Sequence, residues 1–170
     1  MATIEIIKQG ITRADADAIV NAANEGLRAG SGVCGAIFEE AGYDDLRAAC
    51  AAIGHCDTGS AVITPGFALK ARYIIHAVGP VWHGGGRGEA ELLASCYAAS
   101  IDLAVENGCR SFAFPLISSG IYGYPKEEAW RVAIAACRNK QDQLGDRAPA
   151  VVFCVLNDAM LALGNAVLAE

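Results

Sequence analysis

The feature that most constrains this chain is a short apolar run, Ala18-Ile19-Val20, that breaks into the stretch Asn21 to Gly35. The run reads as a buried strand, and Ala36 and Ile37 open an apolar-periodic segment that reads as a helix. A strand therefore delivers two asparagines, Asn21 and Asn24, to its end, and a glycine-rich loop (Gly30, Ser31, Gly32, Val33, Cys34, Gly35) leads into a helix. The first amides of a helix have no internal partners and carry the positive end of its dipole, so this geometry suits an anion.

The rest of the sequence alternates strand and helix signals. Thr3–Ile7 is β-branched and reads as the first strand, broken by Gly10-Ile11-Thr12. Helices are expected over 35–40 and from Asp44 to Ile53, and strands over 60–64 and 73–78. Residues 89–106 carry Leu92, Leu93, Cys96, Tyr97, Ile101 and Val105 at helical spacing, and Asn107-Gly108 stops them. A strand over 111–114 meets Pro115 and a second glycine-bearing loop, Ser118-Ser119-Gly120-Ile121-Tyr122-Gly123. Pro125 then opens a further helix. The chain closes on the apolar strand 151–156 and a helix over 158–168. Most strands are apolar on both faces, which predicts a three-layer α/β/α sandwich around a mixed, mostly parallel sheet. In such sheets ligands lie outside the carboxyl ends of the strands. Both glycine loops sit at such ends, so they read as a clamp for a diphosphate.

Charge and cysteine usage narrow the chemistry. Lys and Arg number 13 and are scattered in a chain of net charge −6, which excludes a basic nucleic-acid surface. Amides rather than a basic clamp are expected to hold the anion. Seven cysteines at odd number and wide spacing, without Cys-x-x-Cys, read as reduced apolar fillers and not as a metal site. No metal and no cofactor is expected. With 170 residues the chain is expected to form one domain. It shows no apolar run of membrane-spanning length and no signal-peptide pattern at its start, so the expectation is a cytoplasmic protein without membrane contact.

Four segments in order resemble the macrodomain family, most closely its MacroD-like branch: Asn21-Ala22-Ala23-Asn24, Gly30 to Ile37, Tyr73 to Pro80, and Pro115 to Pro125. The resemblance implies a fold that binds ADP-ribose or ADP-ribosylated protein. It also implies hydrolysis of ADP-ribosyl esters, on protein side chains or as O-acetyl-ADP-ribose. It casts Asn24 as the asparagine that fixes the distal ribose. Gly30 to Gly35 become the first diphosphate loop, Ser118, Ser119, Gly120, Ile121 and Tyr122 the second, and Ile11, Asn21 and Asn157 further candidate ligand contacts, although Asn21, at the strand end, reads more simply as a brace for the loop than as a ligand contact.

Three positions depart from that pattern. Gly10 stands where the family places an aspartate that accepts the adenine amino group, and Asn157 stands where an aromatic residue packs on adenine. Asp158 is the candidate to replace the carboxylate. Cys34 stands where MacroD-like hydrolases carry an aspartate that positions water. A nucleophilic Cys34 would need a base, and no histidine follows at a helpful spacing, so it reads as a small side chain lining the ribose site. Alternatives to the hydrolase are a non-catalytic ADP-ribose reader and a nucleotide-diphosphate binder of altered base preference. His76 and Trp130 read as core residues, and the loop Gly84 to Gly88 as a connection.

Overall fold

In a computed structural model, which describes residues 3–170, six strands form one sheet. They are β1 (Ile4–Lys8), β2 (Ala18–Ala22), β3 (Ala61–Pro65), β4 (Tyr73–Ala77), β5 (Ser111–Phe114) and β6 (Ala150–Val155). The order across the sheet is β1-β6-β5-β2-β4-β3, and only the edge strand β3 runs antiparallel to its neighbour. Five helices cover it: α1 (Gly32–Ala41), α2 (Tyr43–Ile53), α3 (Glu89–Glu106), α4 (Lys126–Leu144) and α5 (Asp158–Leu168).

Strand alternation divides the core in two. Successive side chains of a strand point to opposite faces. In β2, Ala18 and Val20 pack with α3, α4 and α5, whereas Ile19 packs with α1 and α2. The first face centres on Tyr97, Phe112, Phe114, Trp130 and Phe153, all buried and in edge or stacked contact. The second holds Ile37, Phe38, Leu46 and Ile74. This is the three-layer α/β/α arrangement with a mixed, mostly parallel sheet that the alternating pattern predicts. Among the described residues, no helix is long and apolar enough to cross a membrane.

The main boundary difference lies at the first helix. It starts at Gly32 rather than Gly35, and Ser31 occupies its extended N-cap position without a side-chain capping bond. Gly32 and Gly35 thus fall in the first turn of α1, while Gly30 precedes it. The Gly35 N–H donates to the Ser31 carbonyl at 3.3 Å, which leaves the amides of Gly32, Val33 and Cys34 at the open end of α1, where the dipole is felt.

Candidate functional site

Four neighbouring parallel strands, β1, β6, β5 and β2, end along one edge of the sheet. The segments that follow them enclose a cleft of about 620 Å³, within the usual range for a small-molecule site. Four strands side by side span about 14 Å. The β2 end carries Asn24 and the Gly30–Cys34 turn, the middle carries Ser118 to Tyr122, and the β1/β6 end carries Gly10, Ile11, Thr12 and Asn157. Among the described residues lining the cleft, none is an aspartate or glutamate, and Lys126 is the one cation. A chain of net charge −6 has kept acid out of this edge.

Both loops carry backbone amides without acceptors among the described residues. Among the described residues, none accepts a hydrogen bond from the backbone N–H of Ser31, Gly32, Val33 or Cys34, nor from that of Ser118, Gly120, Ile121 or Tyr122. Two loops with such amides thus line one cleft, from adjacent strand ends. Ser118 lies at φ 67°, in the left-handed region, and is nearly buried; its backbone conformation re-aims the second loop.

Both loops are held from behind. The buried Tyr97 hydroxyl of α3 accepts the N–H of Ile117 at 2.9 Å. Trp82 donates its backbone N–H to the Tyr122 carbonyl at 2.8 Å, and its ring packs on Tyr124 with centroids 4.6 Å apart. Gly79 approaches so closely that a Cβ there would sit 2.3 Å from Ser118 Oγ. The loop after Trp82 is tied down in turn by Glu89. This buried carboxylate accepts the N–H groups of His83 (2.9 Å), Gly85 (2.9 Å) and Arg87 (2.6 Å). The loop over 84–88 is therefore no slack connection. Its amides already hold an internal anion, and it does not line the cleft.

These amide bonds, the one from His83 foremost, lower the Glu89 pKa from 4.5 to about 2. The folded state thus holds this group ionised more strongly than the unfolded chain does, so the stabilisation is complete above pH 4.5 and fades as pH falls toward 2. Glu89→Gln is expected to lower the melting midpoint by at least about 4 °C at neutral pH. The gap from wild type should narrow through that acid window. Thermal melts of both proteins at several pH values check it; a gap independent of pH would contradict the assignment.

The β2 side is braced by asparagines. Asn24 clamps the backbone of Arg28 from both sides: its Nδ2 donates to the carbonyl at 2.9 Å, and its Oδ1 accepts from the N–H at 3.0 Å. The Cys34 thiol donates to the same carbonyl at 3.7 Å. Asn21 donates from Nδ2 to His76 Nδ1 at 3.1 Å and to Cys34 Sγ at 3.6 Å. His76 Nε2 donates to Thr64 Oγ1 at 3.0 Å, and that hydroxyl donates to the Pro65 carbonyl. Burial lowers the His76 pKa to about 4, so the ring is neutral; its tautomer follows from these partners. Burial, with the nearby Glu25 charge adding, raises the Tyr122 phenol above its ordinary value and keeps it protonated.

Of the residues singled out from sequence, Ile11, Asn24, Gly30, Ser31, Gly32, Val33, Cys34, Ser118, Ser119, Gly120, Ile121, Tyr122 and Asn157 line the cleft. Two do not. Asn21 is buried behind it, because the β2/β4 register sets it opposite His76 and away from the edge. Gly35 also lies outside the lining; a Cβ there would come 2.6 Å from the Gly30 carbonyl oxygen, so its part is to let the turn close. Asp158, the candidate replacement carboxylate, lies outside too and is paired with Lys8 at 2.9 Å. Asn157 caps α5, accepting the N–H of Met160 at 2.9 Å.

Sequence reasoning missed Lys126, Cys154, Gln9, Thr12 and Met160, which also line the cleft. Lys126 was legible in principle, since it follows Pro125 at the start of a helix that leaves the second loop. A further cluster, Glu25, His55 and Asp57, forms outside the cleft, with His55 Nε2 2.8 Å from Asp57 Oδ1. Cys56, which the sequence sets beside His55, is buried and turns its thiol to the Asp57 carbonyl instead.

Residues 20–133 match the family model for the Macro domain. A Macro domain-containing protein of Chlorobaculum tepidum is 53% identical over 91% of this chain and 89% of its own length. A Klebsiella pneumoniae protein named O-acetyl-ADP-ribose deacetylase is 52% identical over 76% of each. Among solved structures, the Oceanobacillus iheyensis macrodomain with ADP superposes with a TM-score of 0.91 at 35% identity, covering 99% of this chain and 90% of that one. The Trypanosoma brucei macrodomain in complex with ADP-ribose gives 0.90 at 35% identity, covering 97% and 68%. With the fold, the two amide loops and these relatives in agreement, the chain belongs to the macrodomain family.

Proposed function

We propose that the cleft binds ADP-ribose and hydrolyses ADP-ribosyl esters, carried on protein side chains or as O-acetyl-ADP-ribose. The observation that carries this reading is that two loops lining one cleft both hold backbone amides without an acceptor among the described residues, while no aspartate or glutamate is among the described lining residues. A diphosphate between the loops accepts charge-assisted hydrogen bonds from both. The distance across four strand ends suits a nucleoside on one side of the diphosphate and a ribose on the other. The names of relatives and the ligands in related structures support the same assignment.

The lining also limits the mechanism. Among the described lining residues none is an aspartate, glutamate or histidine. Water adds to the ester carbonyl carbon and gives its proton to a phosphate oxygen of the ligand; as the bond from that carbon to the ribose oxygen breaks, the proton passes to the ribose oxygen, releasing ADP-ribose and the free acid. The protein contributes position, holding water near the ester while the amides stabilise negative charge as it develops. Incubation with O-acetyl-ADP-ribose and with glutamate-ADP-ribosylated protein tests this: release of ADP-ribose is expected. Binding without release would overturn hydrolysis. It would favour the second reading, a non-catalytic reader, for which the same absence of a lining carboxylate speaks.

Cys34 lines the cleft beside the Asn24 clamp, and its thiol is engaged with the Arg28 carbonyl and Asn21. Cys34→Ala is expected to keep turnover within about threefold of wild type. Abolished turnover in a folded variant would make the thiol a nucleophile.

A further inference from the structure

The end of the cleft over β1 and β6 is furthest from the Asn24 clamp, and in the proposed function, on which this inference rests, it receives the nucleobase. Among the described residues lining that end, the polar side chains are neutral. Asn157 accepts the Met160 N–H at its Oδ1 and brings its amide hydrogens to this end as donors. Asp158, the nearest acid in sequence, is held by Lys8 outside the lining. Gln9 donates its Nε2 to the Arg13 carbonyl at 3.4 Å, which leaves its neutral carbonyl oxygen. The Thr12 hydroxyl can donate or accept. Gly10 adds nothing, although it has room for a side chain: its φ is −63°, and no atom lies within 4 Å of where a Cβ would be.

We propose that this end reads a purine without distinguishing a 6-amino from a 6-keto group, so that the ligand class is purine nucleoside diphosphate ribose rather than the adenine form alone. An exocyclic amine finds the Gln9 carbonyl or the Thr12 oxygen. A 6-keto oxygen finds the Asn157 amide or the Thr12 hydroxyl. Strong rejection of one form needs a buried group left unpaired by it, above all a charged one. Open space beside Gly10 and two-way neutral groups supply no such penalty.

Calorimetry on the full chain with ADP-ribose and with inosine diphosphate ribose tests the proposal. The two dissociation constants are expected to agree within about threefold, and a preference of tenfold or more for ADP-ribose overturns it. Gly10→Asp places a carboxylate in the open space, and is expected to turn the pair of ligands into a preference for ADP-ribose of at least about tenfold. An unchanged ratio in that variant overturns the assignment of Gly10 as the position that leaves the base unread. If ADP-ribose itself does not bind, the proposed function has failed and this inference falls with it. If ADP-ribose binds and the inosine form does not, this inference alone fails.

Discussion

Gly35→Ala is expected to weaken ADP-ribose binding by at least about 30-fold while leaving the protein folded. The added methyl would sit 2.6 Å from the Gly30 carbonyl oxygen, a backbone atom that cannot rotate away. Gly30 must then move, and with it the turn of Ser31, Gly32 and Val33, which lines the cleft and whose amides have no acceptor among the described residues. Hydrogen bonds to a charged group contribute about 1.5–3 kcal/mol each, so losing the alignment of one amide already costs roughly ten- to a hundredfold. Stability responds less. Alanine gains about 0.5–1 kcal/mol over glycine in a helix, which offsets part of a local clash of about 1–3 kcal/mol. Calorimetry and a thermal melt on the same variant separate the two effects. A change in affinity below threefold would show that the first loop does not hold the diphosphate.

That position also shows which part of the site a sequence reading can reach. A run of glycines between a strand and a helix marks an anion loop because backbone geometry is local, and the six-strand α/β/α fold follows from alternation that is local too. Gly35 was counted among the ligand contacts because it stands in the same run. Its actual neighbour, the Gly30 carbonyl, depends on how the turn closes. Asn21 shows the same limit: its place at a strand end suggests a brace without naming what it braces against. Its partner His76 lies on another strand, 55 residues away, and only the β2/β4 register brings the two together. The same holds for Glu89, which in sequence only opens the helix over 89–106. It is in fact the buried anion that organises the glycines before it. Long-range pairs of this kind set the orientation of the site without leaving a pattern in the chain.

Asn24 is where local and long-range readings meet, and its removal is the second large effect expected. The side chain makes two hydrogen bonds to the backbone of Arg28, closing the segment that leads from β2 to α1. At about 1 kcal/mol each, their loss predicts a fall in melting midpoint of roughly 4–8 °C for Asn24→Ala. Binding should suffer more than this. The Arg28 carbonyl that Asn24 holds is also the acceptor for the Cys34 thiol in the first turn of α1, so a slackened Arg28 releases the amide row as well. Affinity for ADP-ribose is expected to fall by about 10- to 100-fold, and turnover of O-acetyl-ADP-ribose at least as far. Asn24→Asp sharpens the test. It keeps an acceptor for the Arg28 N–H but sets a carboxylate against the Arg28 carbonyl, and it brings negative charge to a cleft that has none. It should therefore bind ADP-ribose more weakly than the alanine variant. Equal or tighter binding by Asn24→Asp would mean that anion repulsion at this end of the cleft is negligible, which would place the diphosphate elsewhere. Unchanged affinity in Asn24→Ala would mean that neither the clamp nor a direct contact from this asparagine matters to the ligand.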